Sequence, residues 1–140
     1  MGGGENMMKL ENRLLRDIMT RGVVTVSVTA KVKEVVSLLS KQGLSGVAVT
    51  GNDGVAVGVI SDMDILKVIG KENWENITAE SIMTSNIQKI KPMCTLGEAA
   101  KMMREKSIHR LLVFSESGVG ASQRPIGILS ASDIVREAGR

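Results

Sequence analysis

The chain has 140 residues and 43% hydrophobic content, room for one compact domain or two small ones packed around a real core. Trp74 and Phe114 are its only aromatics, which argues against single-stranded nucleic-acid binders that stack bases on aromatic faces. One cysteine and one histidine exclude a disulfide framework and a cysteine-based zinc site, so no metal is expected. The net charge of +3 is spread, with Lys and Arg mixed among Glu, and no apolar run reaches membrane-spanning length.

The first eight residues, MGGGENMM, lack the apolar stretch of a secretory leader, so a soluble, cytoplasmic chain with no membrane contact is expected. Lys9 to Arg16 reads as an extra amphipathic helix docked on one part of the fold. Val23 to Val28 is short and β-branched, a strand or extended segment. Lys31 to Lys41 places Val32, Val35, Val36 and Leu39 on one helical face, and Gly43 ends that helix. Val47 to Val49 and Val55 to Ile60 are two strands joined by the hairpin sequence Gly51-Asn52-Asp53-Gly54. A short helix follows from Asp62 to about Ile69, and residues 70–80 are a polar linker. The pattern then returns: a strand near Ile87 to Ile90, a helix from Leu96 to Lys106, strands at Leu111 to Phe114 and Ile126 to Leu129, and a last helix from Ala131. The second hairpin loop, residues 115–125, is rich in Gly and Ser and is expected to be mobile and exposed.

This return is an internal repeat. Asp17-Ile18-Met19-Thr20 matches Ser81-Ile82-Met83-Thr84 at an offset of 64, which also aligns Glu34 with Glu98 and Val49 with Val113. Five extra residues follow Phe114, and the register resumes with Gly58 against Gly127. Two copies are too few for a solenoid, so a pseudo-symmetric pair burying one shared face is expected. The fold class is α+β, built from two βαββα repeats. A tail and short helix span 1–14, the first repeat 15–70, a linker 71–78 and the second repeat 79–140.

Both copies carry Gly, two apolar residues, Ser, two variable residues and Asp. These are Gly58-Val59-Ile60-Ser61 with Asp64, and Gly127-Ile128-Leu129-Ser130 with Asp133. A strand ending at the Ser and a helix starting there would aim backbone N–H groups at ligand oxygens. A carboxylate three residues on can accept both hydroxyls of a ribose. Ser-x-x-Asp before an apolar run is also close to a capping box, and for an isolated occurrence capping is the ordinary reading. Two occurrences in register, each after the same layout, shift the balance toward a ligand.

With the IMT segments, GLSGVAV from Gly43 and SIHRLLV from Ser107, the chain resembles a tandem CBS module over about Leu15 to Ala138. The second copy is similar to the nucleotide-binding repeats of AMP-activated protein kinase γ subunits. The resemblance implies a small three-stranded sheet with two helices per repeat, packed sheet to sheet around two clefts, and modules that pair as homodimers. It implies that Asp64 and Asp133 bind ribose hydroxyls with Ser61 and Ser130 beside ribose or phosphate. Thr20 and Val24, and Thr84 and Gln88, would line the adenine slots. Ser45 and Gly46 fall where the family contacts adenine. His109 and Arg110 fall where it reaches phosphates, often across into the other copy's cleft. The first copy has Ser45-Gly46 where the second has His109-Arg110, so the clefts are unequal. Gln88 is polar where an apolar wall is common, and His109 alone is equally a surface histidine at a strand start.

The expected function is therefore a non-catalytic sensor of AMP, ADP, ATP or S-adenosylmethionine that needs no other cofactor and signals to an effector protein. No nucleophile elbow accompanies the single histidine. Two other readings stand beside it: a ligand-free interaction module in which Ser-x-x-Asp only caps helices, and nucleic-acid binding through a mildly basic face, suggested by a pI of about 9.2.

Overall fold

In the computed structural model, residues 9–21, 23–115 and 125–140 are described. The first repeat runs through α1 (Leu15–Ile18), β1 (Thr20–Arg21), β2 (Thr25–Ser27), α2 (Val32–Gln42), β3 (Gly46–Thr50), β4 (Ala56–Ser61) and α3 (Asp62–Leu66). The second runs through α4 (Ala79–Ile82), β5 (Lys89–Ile90), α5 (Leu96–Lys106), β6 (Arg110–Phe114), β7 (Pro125–Ser130) and α6 (Ala131–Ala138).

Helices α2 and α5 start and end at positions related by the repeat offset. Thr95 caps α5 with its hydroxyl, which accepts from the Glu98 N–H at 3.1 Å while Glu98 accepts from the Thr95 N–H at 3.2 Å. At α2 the equivalent Glu34 reaches back to the Lys31 N–H at 3.3 Å. Gly43 ends α2 at φ +62°, a left-handed geometry that glycine adopts without a Cβ clash. In each half a parallel strand pair and an antiparallel hairpin make the sheet. β2 pairs parallel with β3 and β3 antiparallel with β4; β5 pairs parallel with β6 and β6 antiparallel with β7. The register shifts at Val49/Thr50 and again at the equivalent Val113/Phe114. The mobile hairpin loop expected at 115–125 lies, apart from its two ends, outside the described residues.

The two halves exchange their leading segments. β1 does not join the first sheet but pairs antiparallel with β7, Thr20 against Ile128, so the second sheet has the order β1-β7-β6-β5. Reciprocally, Thr84 and Val59 exchange N–H···O bonds of 2.8 and 2.9 Å. The helices before these segments follow. α1 buries Leu15 among Leu96, Leu111 and Leu129 of the second repeat, whereas Ala79 of α4 is buried among Val32, Val35 and Ile60 of the first. The swap also satisfies N–H groups left open at helix starts: Val32 N donates to Ile77 O and Leu96 N to Arg13 O, both at 2.8 Å.

The extra helix expected over Lys9 to Arg16 is instead a 3-10 turn at Leu10–Asn12 followed by α1. α1 is no addition, since it is the repeat equivalent of α4. Arg13 fixes the turn to the last helix by a 2.6 Å ion pair with Glu137. The segment read as a polar linker carries a 3-10 turn, Trp74–Asn76, whose Trp74 packs on the first core. Between the two sheets a third apolar cluster, Ala48 and Ala56 against Leu112 and Phe114, forms the shared face.

Candidate functional site

The S-x-x-D segments sit where β4 meets α3 and where β7 meets α6. In each, the Ser is the helix N-cap and the Asp closes a reciprocal capping box. Asp64 Oδ2 accepts from the Ser61 N–H at 2.9 Å, and Asp133 Oδ2 from the Ser130 N–H at 2.8 Å. The Asp64 N–H donates to Ser61 Oγ at 3.4 Å and the Asp133 N–H to Ser130 Oγ at 3.1 Å. Capping therefore occupies Oδ2 and leaves Oδ1 directed elsewhere. At Asp64, which is buried, Oδ1 accepts from the Thr84 hydroxyl at 3.3 Å and lies 3.9 Å from Lys67 Nζ. At Asp133, Oδ1 accepts from Arg136 Nη1 at 3.1 Å.

Two clefts of similar size flank the shared face, and each is built from both repeats. The first, about 340 Å³, brings together Ser61 and Asp64 of the first repeat with Thr84, Gln88, His109 and Arg110 of the second. Val59, Ile87 and Leu112 give it apolar wall. The second, about 330 Å³, joins Val24, Ser45 and Gly46 of the first repeat to Ser130 and Asp133 of the second, with Ile128 as wall. Thr20 belongs beside this second cleft through the backbone pairing of β1 with Ile128. Of the twelve residues singled out in the sequence, six thus line the first cleft and five the second, with the Thr20 backbone beside it. The reason is the exchange: a leading segment laid on the other repeat's sheet edge faces that repeat's Ser-x-x-Asp, not its own.

The clefts differ as the sequence suggested, and the structure decides which carboxylate the cations face. His109 and Arg110 stand across from Asp64, while Asp133 faces Ser45 and Gly46. Arg110 extends across Gly46, its own repeat equivalent, where an added Cβ would stand 3.1 Å from Nε. Its Nη2 donates to Ser45 O at 3.2 Å and to Asp62 Oδ1 at 3.5 Å. Gln88 lines the first cleft as an amide held toward Asn86 Oδ1 at 3.4 Å.

Sequence reasoning missed Lys67 and Arg136. They follow Asp64 and Asp133 by one helical turn, occupy equivalent positions, and line the first and second cleft respectively. A cation three residues after each Asp was visible once the second register was aligned. Each cleft combines apolar wall, a carboxylate oxygen held by a hydroxyl or a cation, and a cation beside it. Among the described residues no cluster of three or more His, Cys, Asp or Glu side chains could hold a metal ion, and no helix is long and apolar enough to cross a membrane.

Comparison with known proteins agrees with this architecture. The CBS domain pair crystallised with 5′-methylthioadenosine and S-adenosyl-L-methionine is 25% identical, with 90% of this chain and 95% of that chain covered at a TM-score of 0.77. CBSX2 in complex with AMP is 27% identical, with 90% and 96% covered at a TM-score of 0.69. A homoserine O-acetyltransferase of Methanococcus vannielii is 28% identical over 89% of this chain but only 25% of its own length. The chain spans 60%, 25% and 51% of the length of three curated relatives it matches. The CBS domain profile matches residues 15–71 and again 79–140. With both repeats matched and the fold shared, the chain belongs to the CBS domain family, as a tandem pair.

Proposed function

We propose that the chain is a non-catalytic regulatory module that binds an adenine nucleotide or adenosyl ligand, AMP, ADP, ATP or S-adenosylmethionine, in its two clefts. The observation that carries this reading is the composite build of each cleft. The Asp of one repeat, whose Oδ1 is held by a hydroxyl or a cation at the cleft, faces a leading segment from the other repeat, so a bound nucleoside would touch both repeats at once. Such a ligand favours one arrangement of the repeats and shifts its population, which is how binding would reach an effector protein. A solved CBS pair of 25% identity holds 5′-methylthioadenosine and S-adenosyl-L-methionine and one of 27% identity holds AMP, which supports the ligand class. The first cleft, with Lys67, His109 and Arg110, suits a phosphate-bearing ligand. The second, with Arg136 as its one lining cation among the described residues, suits one of lower charge.

Exposed Met63, Leu66 and Ile69 recur at three-residue spacing along α3 and the turn after it, and exposed Val135 on α6 is the repeat equivalent of Leu66. This apolar pair of surfaces supports homodimerisation through the ligand-side helices. The module works in this reading as a cytoplasmic protein without a further cofactor.

A thermal-shift panel with adenosine, AMP, ADP, ATP and S-adenosylmethionine tests the proposal. A ligand at about 100 times Kd should add about 2.7 kcal/mol of apparent stability. The AMP shift should disappear in Asp64→Asn and persist in Asp133→Asn, because the cations face Asp64. A folded protein that no member of the panel stabilises would sink the reading. Binding to nucleic acid with a steep loss of affinity in salt would replace it.

A further inference from the structure

Arg110 and Asp62 form a charge pair that only one half of the molecule has. The repeat equivalent of Arg110 is Gly46, and that of Asp62, the first residue of α3, is Ala131 at the start of α6. Arg110 lines the first cleft, and Asp62 reaches it from between the lining residues Ser61 and Met63; neither charge has an equivalent in the other half. The equivalent backbone contact is kept on both sides: Asp62 N donates to Ser45 O at 3.1 Å, and Ala131 N to His109 O at 2.8 Å. The ion pair is thus an addition to a shared scaffold rather than part of it.

Its geometry is that of a loosely held cation. A single nitrogen, Nη2, reaches Asp62 Oδ1 at 3.5 Å, and the carboxylate is 63% exposed while the arginine side chain is 17% exposed. The Met63 N–H holds the same Oδ1 at 2.8 Å, keeping the carboxylate turned toward Arg110. Arg110 Nε is buried with no partner among the described residues. A guanidinium offers five donors in a planar fork, and here one long contact to a carboxylate and one to a carbonyl engage a single nitrogen. Phosphate oxygens would engage that fork bidentately and more strongly than a monodentate, screened carboxylate.

We propose that Asp62 is a specificity-determining residue of the first cleft: an internal counter-anion that holds Arg110 in the free protein and that a ligand phosphate must displace. This rests on the nucleotide reading of the cleft. Asp62 opposes an anionic ligand twice. It occupies the cation the phosphate needs, and after displacement it remains as a like charge nearby, a penalty that grows with phosphate charge. An uncharged nucleoside meets neither effect. Asp62 therefore tunes the cleft toward ligands of low charge, selecting by repulsion as well as by attraction.

Calorimetric titration with adenosine, AMP and ATP tests this in protein whose second cleft is silenced by Asp133→Asn. Asp62→Asn should tighten AMP by about two- to fivefold, the range an exposed ion pair allows, and ATP by more. Adenosine should stay within about twofold, and the AMP gain should shrink at high salt. Asp62→Ala should behave alike, and its fold is safe because Ala131 occupies the equivalent position. In an Arg110→Gln background the gain should vanish. The proposal is overturned if the Asp62 variants shift adenosine as much as AMP, if the ratio of the two affinities stays unchanged, or if the AMP gain survives Arg110→Gln. Should adenosine and AMP bind with an unchanged ratio, only the role of Asp62 falls. Should none of the three ligands bind the folded protein, the nucleotide reading falls with it.

Discussion

At the residue scale, the carboxylates of Asp64 and Asp133 divide their two oxygens between two tasks. Oδ2 closes the capping box on Ser61 or Ser130, and Oδ1 points to a hydroxyl or a cation at the cleft. The capping and ligand readings of Ser-x-x-Asp were alternatives on sequence alone, and the geometry makes them compatible. Thr95 and Glu98 supply a control, since they form the same box on α5 without lining either cleft. Thr95→Ala should cost about 1 kcal/mol in urea unfolding and leave AMP affinity unchanged. Gly58 has a different role. A Cβ there would stand 2.6 Å from Met83 Sδ and 2.9 Å from Thr84 O, so only glycine lets the second repeat's leading segment lie against β4. Gly58→Ala should destabilise by about 1–3 kcal/mol by denaturant titration, because the backbone carbonyl has no rotamer by which to retreat. Gly51→Ala, whose Cβ would meet only Asp53 Oδ1 at an ordinary 3.4 Å, should change stability by less than about 0.5 kcal/mol.

At the element scale, legibility followed length and periodicity. Helix α5 was read at Leu96 to Lys106 from its sequence and runs over those residues. Its partner α2 ended one residue later than Lys41, at Gln42, and the four hairpin strands lie within a residue of their expected spans at most ends. The four-residue helices α1 and α4 gave no such signal, since barely one turn shows no apolar period. Repeat alignment held the clue instead: the matched Asp17-Ile18-Met19-Thr20 and Ser81-Ile82-Met83-Thr84 are the ends of these helices and the residues leading to the clefts. β1 is two residues long, and its recognition depends on its partner β7, which is more than a hundred residues away in sequence.

At the scale of the whole molecule, the exchange makes the two cores interdependent. Leu15, fully buried, belongs in sequence to the first repeat and in space to the core of the second. Leu15→Ala should cost about 2–5 kcal/mol, the range for a buried leucine truncation. Because each core needs a segment from the other repeat, unfolding followed by Trp74 fluorescence, which reports the first core, should coincide with unfolding followed by far-UV circular dichroism. Separate transitions, with the Trp74 signal unmoved by Leu15→Ala, would show that the exchange is not what couples the halves.

The amino-acid sequence by itself determined the duplication, the alternation of strands and helices within each copy, the Ser-x-x-Asp segments and the inequality between Ser45-Gly46 and His109-Arg110. These are local properties, set by side-chain period, turn residues and matches at fixed offset. Only the tertiary structure decided which residues share a cleft. Packing of the two sheets brings His109 and Arg110 to the cleft of Asp64, and Ser45 and Gly46 to that of Asp133. Thr84 and Gln88 share a cleft with Asp64, and Val24 with Asp133, because each leading segment pairs with the other repeat's sheet edge. That pairing depends on backbone hydrogen bonds and apolar burial between segments far apart along the chain, for which neither periodicity nor a fixed offset carries a signal.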